Sequence, residues 1–239
     1  MFDFLKRSDG PTPKQIARAV KRLTETHGDE GPRIEAAEKL FEWGTPEAIL
    51  ALLNRFTMSS RVITQDIEEK RMVVAMLVEK GPSAVEPILR FMKTHHQVDW
   101  PVQALAAMVT REELVQHLVH TIEEVALSEF AAPEHRVSLI RAVHDHVTAE
   151  MAPLLGSFLD DSDDDVRIAA VEALIEIGET TRETLLEAFL AADDQPRIRR
   201  RIAELFADRG WAVKGYRPKI EETLPDGFRI NSKGVLQQI

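Results

Sequence analysis

The chain has 239 residues, 44% hydrophobic and 29% charged, with no cysteine and a formal net charge of −10. That length and balance support a sizeable buried core and exclude the disordered and fibrous classes. The lack of cysteine excludes disulfides, Cys-ligated zinc and thiol catalysis, and the acidic balance opposes affinity for nucleic-acid phosphates.

Residues 1–11 read as an N-terminal tail or cap. Phe2, Phe4 and Leu5 precede a breaker run and are expected to fold over the open end of a helical stack. A short tail that touches a membrane or docks a partner is the alternative. No run of about 18 uncharged apolar residues occurs, so no membrane span is expected. The opening MFDFLKR lacks the apolar segment of a secretory signal, which makes a reducing cytoplasm the expected location.

From residue 12 to 213 the pattern is helical. Gly31 to Gly44 spaces Ala36, Leu40 and Trp43 along one face, and Thr45 opens TPEAILALLNRF. Glu69 to Gly81 repeats the spacing with Val73 and Leu77, followed by PSAVEPILRFMK from Pro82. Asp99 to Thr110 carries Ala104 and Met108, and REELVQHLVHTIEEVA follows from Arg111. Glu134 to His146 carries Leu139 and Val143, with APLLGSFLDD after it from Ala152. Trp43 and Trp100 hold core-equivalent positions and are expected to be structural. His95 and His96, at a helix end, are expected to cap it.

Asp163 to Gly178, DDDVRIAAVEALIEIG, is the clearest copy. At 100° per residue, Val166, Ala169, Ala170, Ala173, Leu174 and Ile177 share one face, and Ile168, Val171 and Ile175 form a second. Asp165, Glu172 and Glu176 are left for water. A helix apolar on two sides lies between two neighbours, as in a stacked array. TRETLLEAFLAA from Thr181 and Ile198 to Gly210, with Ile202 and Phe206, complete the series.

Residues 214–239 leave the pattern. Pro218, Pro225, Gly227 and Gly234 break helices. Phe228 to Ile230 and Val235 to Ile239 flank the turn-prone Asn231 to Gly234, which allows a small hairpin. With Trp211 and Tyr216, this segment either caps the last helix or forms a docking tail.

The recurring residues are Asp163, Val166, Arg167, Ala169, Ala170, Ala173, Leu174, Ile177 and Gly178. A basic residue returns as Arg33, Lys70, Arg136, Arg167 and Arg199. Over residues 12 to 210 this resembles the HEAT-repeat family, including the short bacterial repeats also found in phycobilin lyases. The resemblance implies an all-α fold: a right-handed α-α superhelix of about six helix pairs with a non-repeat C-terminal tail. It also implies that the second helix of each pair lines the concave surface. Pro101 replaces the basic residue in the third repeat, which predicts an irregular joint near Trp100.

Read across repeats, the water-facing positions are Glu38, Glu42, Glu68, Glu79, Asp99, Glu134, Asp145, Asp165, Glu172, Glu176, Glu204 and Asp208, with Arg141 and Arg197 the basic exceptions. A surface of one sign focuses field and steers an oppositely charged partner, here a basic protein segment. The plainer reading is that the acids keep the repeat soluble.

Other features favour structure over chemistry. Glu113, His117, His120 and Glu124 share one helical stripe and are metal-ligand types, but Leu114, Leu118, Ile122 and Val125 occupy the opposite face, so the stripe is exposed and lacks a second shell. DDSDDD places Asp161, Asp163 and Asp165 at calcium-loop spacing. Val166 stands where that loop needs glycine, so helix capping explains the run. RIRRR, residues 197–201, is expected to pair with Asp193, Asp194 and Glu204, or to coat an exposed end.

The expectation is a non-catalytic interaction scaffold without a cofactor. The alternative is a cofactor- or metal-handling, lyase-like protein. The deoxyhypusine-hydroxylase relatives of the fold need His-Glu pairs, and no His-Glu dipeptide occurs. DNA binding, as in the HEAT-like alkylpurine glycosylases, needs a basic groove with aromatics, and aromatics are only 6%.

Overall fold

The computed structural model describes residues 10–27, 29–126, 128 and 131–239. Two compact units divide inside one helix, between His117 and Leu118. The expected repeat segment, 12–213, runs through both.

The first unit contains α1 (Pro13–Leu23), α2 (Glu30–Trp43), α3 (Pro46–Leu52), α4 (Ile63–Lys80), α5 (Pro82–Met92), α6 (Asp99–Ala106) and the start of α7 (Arg111–Ala126). Packing sorts them into two rows. α1, α3 and α5 touch in succession, as do α2, α4 and α6, and each row packs against the other. Local sequence sets the helix ends. Thr12 and Gln15 form a reciprocal capping box ahead of Pro13, and the Thr45 hydroxyl accepts from the Ala48 amide. α2 stops at Gly44, which takes the left-handed conformation at φ 59°. A Cβ there would lie 3.0 Å from Lys80 Nζ, which itself sits 4.0 Å from the Phe41 ring centroid.

Sequence boundaries shift in two places. α4 begins at Ile63, well before Glu69, and α6 ends at Ala106 instead of continuing to Thr110. Pro101 lies within the first turn of α6, where its missing N–H leaves no bond unmade. Trp100 is half-buried and stacks on Phe56 at 6.4 Å. His95 stacks on Phe91 at 4.1 Å, and its Nδ1 lies 3.3 Å from the Phe91 carbonyl, a C-terminal position that favours a cation.

A buried charge cluster ties this unit together, and two of its members, Arg33 and Lys70, hold the repeat's basic position. Glu69 of α4 accepts from Arg33 of α2 at 2.6 Å and from Arg55 at 2.9 Å. Arg55 follows α3 in a short 3-10 turn, and donates at 2.7 Å to Asp66 and at 3.1 Å to the Met58 carbonyl. Lys70 and the Ser60 amide complete Asp66, at 2.7 and 2.8 Å. Arg33, Arg55, Asp66, Glu69 and Lys70 are all buried. Burial pushes the Glu69 and Asp66 carboxyls up. Hydrogen bonds from Arg33 and Arg55 to Glu69, and from Lys70 and Arg55 to Asp66, outweigh it and leave both lowered.

The second unit holds the rest of α7, then α8 (Pro133–Ala142), α9 (Ala152–Ser157), α10 (Asp164–Ile177), α11 (Arg182–Ala191), α12 (Pro196–Arg209), α13 (Arg217–Glu222), β1 (Phe228–Ile230) and β2 (Leu236–Gln238). α10 is its centre, touching α8, α9, α11 and α12. Val166, Ala169, Ala170, Ala173 and Leu174 are buried on one face, with Val171 and Ile175 on the other, as expected of a helix held between neighbours. Ile168 and Ile177 are half-buried. The Asp163 side chain accepts from the amides of Asp165 and Val166, so part of the Asp run is an N-cap.

The tail is more ordered than its breakers suggest. Pro218 sits in the first turn of α13, where proline is accepted. β1 and β2 pair antiparallel with Arg229 opposite Gln237. Asn231 Oδ1 accepts from the Lys233 and Val235 amides to close the turn. β2 lies on α12, Trp211 meets Phe206 edge-on at 5.4 Å, and the Val213 amide donates to the Gly234 carbonyl at 2.8 Å. Phe228, Leu236 and Ile220 are buried, so the hairpin covers the end of α12.

Two stability measurements follow. Leu174→Ala removes a side chain with 0% exposure at the centre of the second unit, and should cost about 2–5 kcal/mol in urea unfolding. Glu69→Ala strands two buried guanidinium groups and should cost about 3–5 kcal/mol. Both carboxyls are lowered in the folded chain, so the cluster's contribution is full above the ordinary values of 4.5 for Glu69 and 3.8 for Asp66. It is lost as pH falls below them, and Glu69→Gln should flatten that loss.

Candidate functional site

The twelve water-facing acids have two fates. In the first unit Glu38 and Glu42 lie on α2, Glu68 and Glu79 on α4, and Asp99 opens α6, so the five sit along one row of touching helices. All are exposed, and none makes an ion pair among the described residues.

In the second unit the equivalent acids are largely engaged. Arg197 donates to Asp165 at 2.8 Å and Arg201 to Glu172 at 2.7 Å, while Arg209 holds Glu176. Each pair crosses from α12 to α10, one repeat back. Arg201 also reaches Glu204 at 3.4 Å, and Arg200 meets the same carboxylate at 3.2 Å. Glu134 and Asp208 remain exposed, and Asp145 lies 3.1 Å from His144 Nδ1.

RIRRR is therefore an ion-pairing strip. Its expected partners Asp193 and Glu204 are met, by Arg199 and by Arg200 with Arg201. Asp165 and Glu172, which the local sequence does not point to, are added. The repeat's basic position ties neighbouring segments as well. Arg33 reaches Glu69, Arg136 meets Asp161 at 3.0 Å, Lys70 and Arg167 pair within their own helices, and Arg199 donates to the Phe189 carbonyl at 3.2 Å. Asp161, the first residue of the supposed calcium loop, thus serves Arg136.

The histidine stripe of α7 is similarly occupied. Glu113 accepts from the Thr110 amide and hydroxyl, which hold its carboxyl below the usual range. His120 faces Glu124 at 3.5 Å with 65% of its side chain exposed. Leu114, Leu118, Ile122 and Val125 are buried on the opposite face. Among the described residues no three His, Asp or Glu side chains gather as a metal would require. No described helix is long and apolar enough to cross a membrane.

Residues 124–207 match the family model described as HEAT repeats. No curated protein and no solved structure matches the chain. The matched segment runs from the end of α7 through α12 and takes in the α8–α10–α12 row. Over this segment the chain is similar to HEAT repeats.

Proposed function

We propose that the chain is a non-catalytic protein-interaction scaffold whose exposed acids on the α2–α4–α6 row receive a basic protein segment. HEAT repeats provide surface, and protein interaction is their common use. The supporting observation is the contrast between the two units. Carboxylates at corresponding repeat positions are neutralised by arginines on α12, but on α2, α4 and α6 they make no ion pair among the described residues. A paired carboxylate must break a contact to bind a cation, whereas an unpaired one gives up only hydration and rotamer freedom.

The probe is a labelled acetyl-KRLKRI-amide peptide. Glu38→Lys with Glu42→Lys should weaken its binding to the full chain about tenfold at low salt and reduce the salt dependence. Glu172→Lys with Glu176→Lys should leave that affinity within about twofold and cost about 1 kcal/mol of stability, because it breaks the Arg201 and Arg209 pairs. Equal loss of affinity in both variants would remove the preference for the α2–α4–α6 row.

A further inference from the structure

α1 departs from the charge balance of the chain. On a molecule of net charge −10, PKQIARAVKRL holds no acidic side chain. Lys14, Arg18, Lys21 and Arg22 are exposed, while Ala19 and Leu23 face the core. Their i, i+4, i+7, i+8 spacing keeps the four cations on one side of the helix.

Arg18 and Arg22 overhang α2. Between the helices lies a cleft of about 220 Å³, with Gln15, Arg18 and Arg22 on one wall and Glu35, Lys39 and Trp43 on the other. Ala19 and Ala36 also line it, so the gap between the walls is formed by small side chains. A second cleft, about 360 Å³, shares Arg18 and Arg22 and continues to Lys21, Glu25 and Pro32. Lys39 Nζ stands 5.6 Å from the half-buried Trp43 ring. Arg18, Lys21, Arg22 and Lys39 make no ion pair among the described residues, unlike Arg197, Arg199, Arg200, Arg201 and Arg209 of α12. Four cations face two acids, Glu25 and Glu35, which leaves the double cleft cationic.

We propose that the α1–α2 groove docks a short acidic protein segment carrying one aromatic or aliphatic side chain among its carboxylates. Arg18 and Arg22 each offer a planar fork that matches a carboxylate. The small-residue gap beside Trp43 accepts one apolar side chain, and a ring placed there buries area against the indole. Scale and surroundings select the occupant. A nucleic acid or an anionic bilayer extends its phosphates over the acidic surface beyond the groove and is repelled there. A segment of a few residues presents its charges to the groove alone. This site is independent of the basic-segment reading, since it uses the opposite charge and different residues.

The test uses the full chain and a fluorescein-labelled acetyl-EEFDDL-amide peptide. Saturable binding that weakens with salt is expected, with acetyl-QQFNNL-amide binding at least about tenfold more weakly. Arg18→Glu with Arg22→Glu should lose about tenfold or more, and Arg18→Gln with Arg22→Gln an intermediate amount. Arg71→Glu with Arg90→Glu makes the same change in net charge at exposed sites on α4 and α5, and should stay within about twofold. All four side chains are exposed, so circular dichroism should be unchanged. The proposal is overturned by absent saturable binding, by equal loss in the Arg71/Arg90 control, or by tighter Arg18-dependent capture of single-stranded oligonucleotide or anionic vesicles.

Discussion

The first unit depends on burying three cations beside two carboxylates. Removing Arg33, Arg55 and Lys70 from water is unfavourable unless Asp66 and Glu69 meet them with good geometry. The distances of 2.6 to 2.9 Å between the charged partners show that they do. Because the partners come from α2, from the 3-10 turn after α3 and from α4, satisfying the charges fixes those three segments together. A purely apolar contact tolerates sliding, whereas a guanidinium shared between two carboxylates does not. The cluster therefore sets the register in which α2 and α4 lie side by side. That register holds Glu38 and Glu42 of α2 and Glu68 and Glu79 of α4 on one row of touching helices.

The second unit reaches the same end by apolar means. α10 is small and apolar on two sides, with Ala169, Ala170 and Ala173 allowing close approach and Leu174 filling the space between neighbours. Asp165, Glu172 and Glu176 are left for the surface, where arginines of α12 neutralise them. The two units thus present different surfaces: among the described residues Glu38, Glu42, Glu68, Glu79 and Asp99 make no ion pair in the first, and a lattice of ion pairs joins α10 to α12 in the second. The first suits recruitment of a cation-bearing partner, and the second supports the joint between adjacent repeats.

The core was largely legible in the sequence, because a period of 3.6 residues marks the buried face directly. The α10 bounds and both its apolar faces follow from DDDVRIAAVEALIEIG alone. The buried cluster was not, since Arg33 and Glu69 are 36 residues apart and Arg55 belongs to a turn outside the repeat. A signal did exist. Arg33 and Lys70 hold the basic position that recurs across the repeats, and Asp66 and Lys70 lie on the stripe of Val73 and Leu77 at i, i+4, i+7 and i+11, so periodicity carries these charges toward the core. The acids of α10 read from the sequence as water-facing, but the arginines that hold them stand 29 to 33 residues away on α12, beyond any local pattern. In the tail the hairpin was legible from the turn-prone Asn231 to Gly234, whereas α13 was not, because Pro218 reads as a helix breaker yet suits the first turn it occupies.

Carbodiimide cross-linking of a lysine-bearing peptide to the full chain, mapped by mass spectrometry, tests the account most directly. It converts the carboxylate that holds an amine into an amide, the carbodiimide leaving as a urea, and needs no substitution in the protein. The account predicts amide bonds at Glu38, Glu42, Glu68 and Glu79, suppressed by salt, with Glu172 and Glu176 left unmodified. Cross-links concentrated on Glu172 and Glu176, or spread evenly over all exposed acids, would contradict it.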